Sequence, residues 1–206
     1  MNNPWEEIEL EAYENHMKLD SIYQLQGMNE MMQGQFYAYP AKTLMILGIA
    51  GGNGLEHIDK SVFEKVYGVD INKKYLVACA SRYQELQEIL ECVHSDLTDE
   101  SLQLPTAELL VANLLIEYIG YEHFKKVVQK VKANYVSCMI QINTDTAFVS
   151  DSPYTHVFDG LSKVHHQMKE DELEEAMLSI GYSKIHQVDK ELPNGKKLVR
   201  IDFTFR

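Results

Sequence analysis

The stretch TLMILGIAGGNG, residues 43–54, joins a continuous apolar run to a glycine-rich turn. An uninterrupted apolar run is typical of a strand that is buried on both faces of a parallel sheet. The small residues after it let the backbone approach a ligand closely. We expect the turn to open a short helix, whose N-terminus would present free N–H groups to that ligand. The stretch therefore predicts a ligand-binding edge in an α/β fold.

Four further short apolar segments follow, with helix-forming sequence between them. These predicted strands are EKVYGVDI (64–71), ECVHSDL (91–97), AELLVANLLIEYI (107–119) and YVSCMIQI (135–142). Apolar residues at helical spacing occupy 73–90, and a second helix is expected around 123–131 after a break at Gly120. Strands that alternate with helices imply right-handed crossovers and a parallel sheet covered on both faces.

The two ends of the chain differ from this pattern. Residues 6–36 are rich in Glu, Gln, Met and Leu and predict one or two helices, ending near Tyr39 and Pro40. The segment 169–182 predicts a helix that stops at Gly181, and 183–206 alternates with strand period around a Pro-Asn-Gly turn. We therefore predict a doubly wound, mostly parallel, seven-stranded Rossmann-like sheet with an antiparallel C-terminal hairpin. Residues 1–42 would form a helical lid and 43–206 the main domain.

Composition narrows the function. The chain has 206 residues and a formal net charge of −12, and such an acidic surface repels the phosphate backbone of nucleic acids. Cys79, Cys92 and Cys138 lie too far apart to indicate a zinc site or a disulfide framework. An acidic N-terminus and the absence of a long apolar run predict a cytoplasmic protein without a membrane segment.

Two carboxylates follow predicted strands next to the glycine-rich turn. Asp70 stands 16 residues beyond Gly54, where a carboxylate can accept both hydroxyls of a ribose. Asp96 closes the third strand, where it can accept a hydrogen bond from an adenine amino group. Turn formation alone would also explain each acid, but their combination with the glycines favours a nucleoside ligand.

On these residues the chain resembles the class I S-adenosylmethionine-dependent methyltransferases over roughly residues 43–206. LGIAGGNG, VYGVDIN, HSDL and ELLVANLLIEYIG stand at four successive motifs of that family. The resemblance implies S-adenosylmethionine as cofactor and a methyl acceptor, expected to be a small molecule, as partner. The cofactor-binding residues that it implies are Gly48, Ala50, Gly52, Asn53, Gly54, Asp70, Ile71, Asp96, Leu97 and Asn113.

The chain departs from the family pattern at two positions. Gly48 stands where the family usually has an acid, and Ala50 replaces the first motif glycine. Alanine is small enough for that place. Asn53 or a group from the N-terminal segment is expected to take over the role of the missing acid.

The acceptor side of the site is predicted around the fourth motif. We expect Glu117 and Tyr118 to face the substrate as candidate catalytic residues, with His123 as a further candidate near the transferred methyl group. A base is required only if the acceptor must lose a proton. The resemblance adds Tyr13, His16 and Tyr37 on one side of the substrate region and 148–166 on the other.

Some alternatives stay open at the level of sequence. Asn113 suits a helix cap as well as a cofactor contact. His165 and His166, if on a strand, would point to opposite faces and could not share a metal ion, so no metal site is predicted. Two other functions compete: a nicotinamide-dependent oxidoreductase, which expects a GxGxxG turn, and a non-catalytic protein that binds S-adenosylmethionine or S-adenosylhomocysteine. The sequence leaves the oligomeric state undetermined.

Overall fold

The computed structural model describes residues 3–143 and 148–206. Its strands form one seven-stranded sheet in the order β3-β2-β1-β4-β5-β7-β6. The strands are β1 (Thr43–Leu47), β2 (Lys65–Asp70), β3 (Leu90–His94), β4 (Leu109–Asn113), β5 (Tyr135–Ile142), β6 (Tyr182–Glu191) and β7 (Lys197–Phe205). The α-helices are α1 (Leu10–Met17), α2 (Gln24–Tyr37), α3 (Lys73–Arg82), α4 (Ile116–Val131) and α5 (Glu170–Leu178).

The predicted fold class is confirmed. Strands β1 to β5 pair in parallel, β7 runs antiparallel to β5, and β6 pairs with β7 as the hairpin partner. The central strands β1 and β4 are buried along almost their whole length, as their continuous apolar sequences require. The strand order reverses between β1 and β4, and a ligand is expected at the carboxyl ends of these two strands.

Three predicted helix boundaries need correction. The glycine-rich turn does not open an α-helix: it is followed only by a 3-10 helix, Leu55–His57, because Ala50, Gly52 and Gly54 all have positive φ. Helix α3 ends at Arg82, earlier than predicted. Helix α4 begins at Ile116, within a segment predicted as strand, although the predicted break at Gly120 is present as a non-helical kink.

The predicted N-terminal lid segment has two structurally different parts. Met32 and Phe36 of α2 belong to the same buried cluster as Leu44 and Ile46 of β1, so α2 covers one face of the sheet. The part before α2 crosses the carboxyl edge of the sheet instead. There the Tyr75 hydroxyl donates to the Ile8 carbonyl oxygen at 2.8 Å.

None of the described helices is long and apolar enough to cross a membrane. Residues 3–143 and 148–206 also contain no group of three or more side chains placed to hold a metal ion. The three cysteines are free thiols; Cys79 and Cys138 are buried and Cys92 is half-buried. From the sequence, His165 and His166 were considered on a strand. In the structure they follow the 3-10 helix Thr155–Lys163 and do not belong to a strand.

Candidate active site

The glycine-rich turn is fixed by backbone hydrogen bonds to β2. The amides of Gly48 and Ile49 both donate to the Val69 carbonyl oxygen, at 2.8 and 3.1 Å. Gly48 has φ of 66°, and a Cβ there would lie 3.1 Å from Leu115 Cδ1. A larger residue at this position would therefore be strained and would crowd the loop that follows β4.

Asp70 ties the end of β2 to the same turn. Its Oδ2 accepts a hydrogen bond from the Ala50 amide at 2.9 Å, and its Oδ1 accepts one from the Asn72 amide at 2.8 Å. The carboxyl group is mostly buried, and this burial raises its pKa. Asp70 thus orders the turn and still presents a carboxylate at the edge of the sheet.

A cavity of about 680 Å³ opens at this edge. We call it the first cavity. Its lining comprises Asn3, Trp5, Tyr13, Gly48, Ala50, Asp70, Ile71, Tyr75, Ser95, Asp96, Leu97, Asn113, Leu114, Leu115, Tyr118 and Ile119. Most of the predicted cofactor-binding residues are therefore brought together here. Asp96 also accepts hydrogen bonds from the Thr98 amide and hydroxyl at 2.8 and 2.7 Å.

The predicted residues Gly52, Asn53 and Gly54 do not line the first cavity. A Cβ on Gly52 would collide with Tyr83 and Cys79, and one on Gly54 would collide with Met32. The Asn53 side chain donates to the Leu25 carbonyl oxygen at 3.1 Å, so it does not replace the missing family acid. These residues instead allow the turn to pack closely on α2 and α3.

A second cavity of about 550 Å³ adjoins the first one. Its lining comprises Trp5, Tyr13, His16, Met17, Gln24, Leu114, Glu117, Tyr118, Gln141, Asn143, Phe148, Val149, Phe158, Leu161 and His165. Four of these residues, Trp5, Tyr13, Leu114 and Tyr118, also line the first cavity. The two cavities therefore share a mainly aromatic wall.

Glu117 is the acid of the second cavity. Its side chain is almost fully buried, and its Oε1 accepts a hydrogen bond from the Gln141 amide at 2.9 Å. Among the described residues, Oε2 has no hydrogen-bond partner. Burial raises the pKa of Glu117 to about 7, against a smaller opposing effect of the Gln141 amide. Because of this pKa, Glu117 can exchange a proton near neutral pH.

Tyr118 belongs to an aromatic cluster between the two cavities. The Trp5 ring stands edge-on to Tyr118, with centroids 4.9 Å apart, and edge-on to Tyr13 at 5.7 Å. Burial and the neighbouring Glu117 carboxylate raise the pKa of Tyr118, so its hydroxyl stays protonated. Tyr118 is therefore suited to shaping the site and donating a hydrogen bond rather than to acting as a base.

Two histidines and three amides complete the second cavity. Burial, followed by the charge of Lys196, lowers the pKa of His16 to about 4, and burial also lowers that of His165 to about 4. Both rings are therefore neutral at pH 7. Gln24 Nε2 donates to Gln141 Oε1, and Gln141 Nε2 donates to Asn143 Oδ1 at 2.6 Å.

Asn113 has a partner that the sequence did not predict. Its side chain exchanges two hydrogen bonds with Gln35 of α2 and does not cap α4, whose N-cap position is Leu115. Gln35 also donates to Ser137 Oγ at 2.9 Å. No short-range signal links residues so far apart in the chain, so sequence reasoning missed this contact.

Two residues predicted on the acceptor side lie elsewhere. His123 Nδ1 donates to the Ile119 carbonyl oxygen within α4 at 3.0 Å, outside both cavities. Tyr37 is exposed and donates to the His57 carbonyl oxygen at 2.5 Å. Within 148–166, Phe148, Phe158 and His165 face the second cavity, whereas residues 144–147, between β5 and that segment, lie outside the described residues.

Comparison with known proteins agrees with this geometry. Residues 46–134 match the family model described as a methyltransferase domain. No curated protein matches the chain in sequence. The chain is similar in structure to the methyltransferase domain of bacterial CtHen1-C, with a TM-score of 0.65 at 19% identity over 88% of this chain and 96% of that one.

Two further solved structures share the fold. Magnesium protoporphyrin IX methyltransferase from Synechocystis PCC 6803, with bound S-adenosylmethionine, has a TM-score of 0.63 at 11% identity, covering 93% of this chain and 83% of that one. Geranyl diphosphate C-methyltransferase from Streptomyces coelicolor A3(2) has a TM-score of 0.65 at 12% identity, covering 88% and 80%. At these identities the likeness concerns the fold.

The protein is an enzyme of the S-adenosylmethionine-dependent methyltransferase type. Its strand order and its antiparallel hairpin agree with this class. Residues 46–134 match a methyltransferase domain, and the chain has the fold of the class I S-adenosylmethionine-dependent methyltransferases. Its cofactor is S-adenosylmethionine. The first cavity is chemically suited to that molecule because it combines exposed backbone at Gly48 and Ala50, the carboxylates of Asp70 and Asp96, and the apolar side chains of Ile71 and Leu97.

Proposed function

We propose that this enzyme methylates a small molecule held in the second cavity. The observation that carries the proposal is the wall shared by the two cavities, formed by Trp5, Tyr13, Leu114 and Tyr118. S-adenosylmethionine supplies an electrophilic methyl group when it is bound. A molecule in the second cavity would meet that methyl group where the two cavities share their lining residues.

We assign cofactor binding to the residues that surround the first cavity. Asp70 is proposed to hold the ribose, Ile71 and Leu97 to enclose the adenine, and Asp96 to accept from its amino group. The backbone of Gly48 and Ala50, with Asn113, is proposed to face the methionine part. The protein then contributes alignment and exclusion of water, and alignment of two reactants is worth roughly 7–11 kcal/mol of a barrier.

Two features support a small acceptor. Residues from α1 and from the 3-10 helix Thr155–Lys163, including His16 and Phe158, cover the second cavity. The net charge of −12 disfavours a nucleic-acid acceptor.

The cofactor assignment can be tested with a matched pair of aspartates. Asp96 Oδ1 accepts from Thr98 N and Oγ1, and Asp99 Oδ1 accepts from Ser101 N and Oγ in the same way, but only Asp96 lines the first cavity. Asp96→Ala should weaken S-adenosylhomocysteine binding, measured by calorimetry, by about tenfold, or about 1.4 kcal/mol. Asp99→Ala should bind as the wild type does.

Equal binding by all three proteins would remove Asp96 from the site. Binding of NADH in place of S-adenosylhomocysteine would favour the oxidoreductase alternative. Tight S-adenosylhomocysteine binding without methyl transfer to any member of an acceptor panel would favour the non-catalytic alternative. Methylation of RNA but of no small molecule would refute the proposed acceptor class.

A further inference from the structure

The second cavity contains an acidic oxygen that the protein leaves without a partner. Glu117 Oε2 is buried and has no hydrogen-bond donor among the described residues, although Oε1 of the same carboxylate is held by the Gln141 amide. Buried polar atoms in native proteins are nearly always hydrogen-bonded, so an exception inside a ligand cavity indicates that a ligand supplies the donor. The missing partner of Glu117 is therefore a group that carries N–H or O–H.

The rest of the cavity distinguishes between possible donors. Its described lining includes no lysine or arginine, and His16 and His165 are neutral at pH 7, so Glu117 is the one ionisable group there that titrates near neutral pH. Lys196 lies outside the described lining, where its Nζ donates to the Phe148 carbonyl oxygen at 2.9 Å, and its charge contributes to the lowered pKa of His16 and His165. An anionic acceptor would thus meet a carboxylate without a compensating cation in the lining.

Aromatic side chains form much of the lining of the second cavity, to which Glu117 also belongs. Trp5, Tyr13, Tyr118, Phe148 and Phe158 all contribute to the wall of the second cavity. The Phe148 ring stacks on the neutral His165 ring, with centroids 4.0 Å apart. Aromatic faces attract a cation and also stack on a flat apolar ring. Both properties favour a ligand that combines an ammonium group with an apolar or aromatic body.

We propose that the methyl acceptor is a small primary or secondary amine whose nitrogen donates a hydrogen bond to Glu117 Oε2. This proposal rests on the proposed function, since it names the substrate class of the same site. The Gln24, Gln141 and Asn143 amides, which lie in the same lining, would hold further polar groups of the acceptor. Glu117 is then a catalytic residue that both orients the nitrogen and takes its proton.

The chemical step balances with these groups alone. The amine enters as an ammonium ion and gives one proton to the Glu117 carboxylate, which frees its nitrogen lone pair. That lone pair forms the new N–C bond, the S–C bond of the sulfonium breaks, and its electron pair returns to sulfur. The products are a methylated ammonium ion, a neutral thioether and protonated Glu117, which releases its proton to water when the product leaves.

Three probes of equal shape test this proposal without turnover. Phenethylamine, 2-phenylethanol and phenylacetate would be titrated by calorimetry into the full-length protein saturated with S-adenosylhomocysteine. We expect phenethylamine to bind at least tenfold more tightly than 2-phenylethanol, and phenylacetate not to bind. Because an ammonium group favours the carboxylate form of Glu117, whose pKa is about 7, binding at pH 7 should also release protons to the buffer, measured by repeating the titration in buffers of different ionisation enthalpy.

A matched pair of glutamates on α4 provides the control. Glu117→Gln removes the negative charge and should weaken phenethylamine binding by at least tenfold while S-adenosylhomocysteine binding stays unchanged. Glu122→Gln is the same change on the same helix at a side chain that is 78% exposed and forms an ion pair with Lys125 on the surface. It should bind phenethylamine as the wild type does.

The outcomes separate this proposal from the proposed function. If the alcohol or the acid binds as well as the amine, or if Glu117→Gln binds the amine unchanged, the amine proposal is wrong although the methyltransferase assignment stands. If phenethylamine does not bind, and tryptamine and histamine do not bind either, the amine proposal is again wrong while the methyltransferase assignment stands. If S-adenosylhomocysteine itself does not bind to the folded wild type, the failure lies with the cofactor assignment.

Discussion

Gln35 and Asn113 exchange two amide hydrogen bonds, at 2.9 and 2.8 Å, between α2 and the carboxyl end of β4. Gln35 is fully buried, and Asn113 lines the first cavity. The contact continues through Ser137 Oγ to the buried ion pair of Asp202 and Arg200. A helix outside the motif region thus holds a residue of the first cavity.

Removing Gln35 should affect both stability and cofactor binding. Gln35→Ala leaves Asn113 and Ser137 without their shared partner, and an unsatisfied buried polar group costs roughly 1–3 kcal/mol. We expect the free energy of unfolding in urea to fall by about that amount. Because Asn113 is released at the edge of the cavity, S-adenosylhomocysteine binding should also weaken by severalfold.

The control for this prediction is Gln33→Ala, an exposed position on the same helix. It should change the free energy of unfolding by no more than about 0.5 kcal/mol, as surface substitutions usually do. If both substitutions changed the free energy of unfolding equally, the change would come from replacing glutamine by alanine in a helix and not from losing the hydrogen bonds of Gln35.

The buried Glu117 carboxyl should make the protein less stable as the pH rises. Its pKa is raised from 4.5 to about 7 in the folded protein, so the folded state binds the proton more tightly than the unfolded state does. The stabilising contribution of the protonated form is complete below about pH 4.5 and is lost as the pH rises to 7. The largest change that this shift in pKa can make to the free energy of unfolding is about 3 kcal/mol.

This pH effect is measured as a difference between two proteins. The free energy of unfolding of Glu117→Gln, minus that of the wild type, should increase by about 2–3 kcal/mol between pH 5 and pH 8. Other titratable groups near Glu117 are shared by both proteins and cancel to first order: Tyr13, His16, Tyr118, Tyr121, Cys138, His165, His166 and Lys196. A constant difference across this range would mean that Glu117 titrates normally.

Trp5 provides a direct optical signal for occupation of the site. It is the single tryptophan of the chain, lies in the wall shared by both cavities and is held by a 2.9 Å hydrogen bond from Asn72 Nδ2 to its carbonyl oxygen. We expect saturating S-adenosylhomocysteine to change the tryptophan emission with the same dissociation constant that calorimetry gives. An unchanged spectrum at saturation would place Trp5 away from the ligand in solution.

Ala50 stands at a position that favours glycine. Its φ is 48°, and an L-residue other than glycine pays about 1–2 kcal/mol in the left-handed region. Ala50→Gly should therefore raise the free energy of unfolding by up to about 1 kcal/mol, since glycine also gains freedom in the unfolded chain. Ala38→Gly, at the end of α2 with φ of −66°, should lower stability instead and serves as the control.

Much of the fold and half of the candidate site follow from local sequence. The five parallel strands and the hairpin were predicted from apolar runs and alternation, and β5 was predicted with its observed bounds. Asp70 and Asp96 were predicted to meet because carboxyl ends of parallel strands share an edge, and both line the first cavity. The prediction of a helix that starts at the glycine-rich turn was wrong, because positive φ values at Ala50, Gly52 and Gly54 interrupt regular structure there.

The order of strands and helices and the position of the glycine-rich turn can be predicted from the sequence alone, because these features depend on patterns within a few residues of the chain. The second cavity beside the first one is visible only in the folded chain. There Glu117 is buried in a lining to which Trp5 and Tyr13 also belong, and Gln35 is bonded to Asn113. The burial of a carboxyl group, and hence its pKa, depends on how distant parts of the chain pack together, which no local pattern encodes.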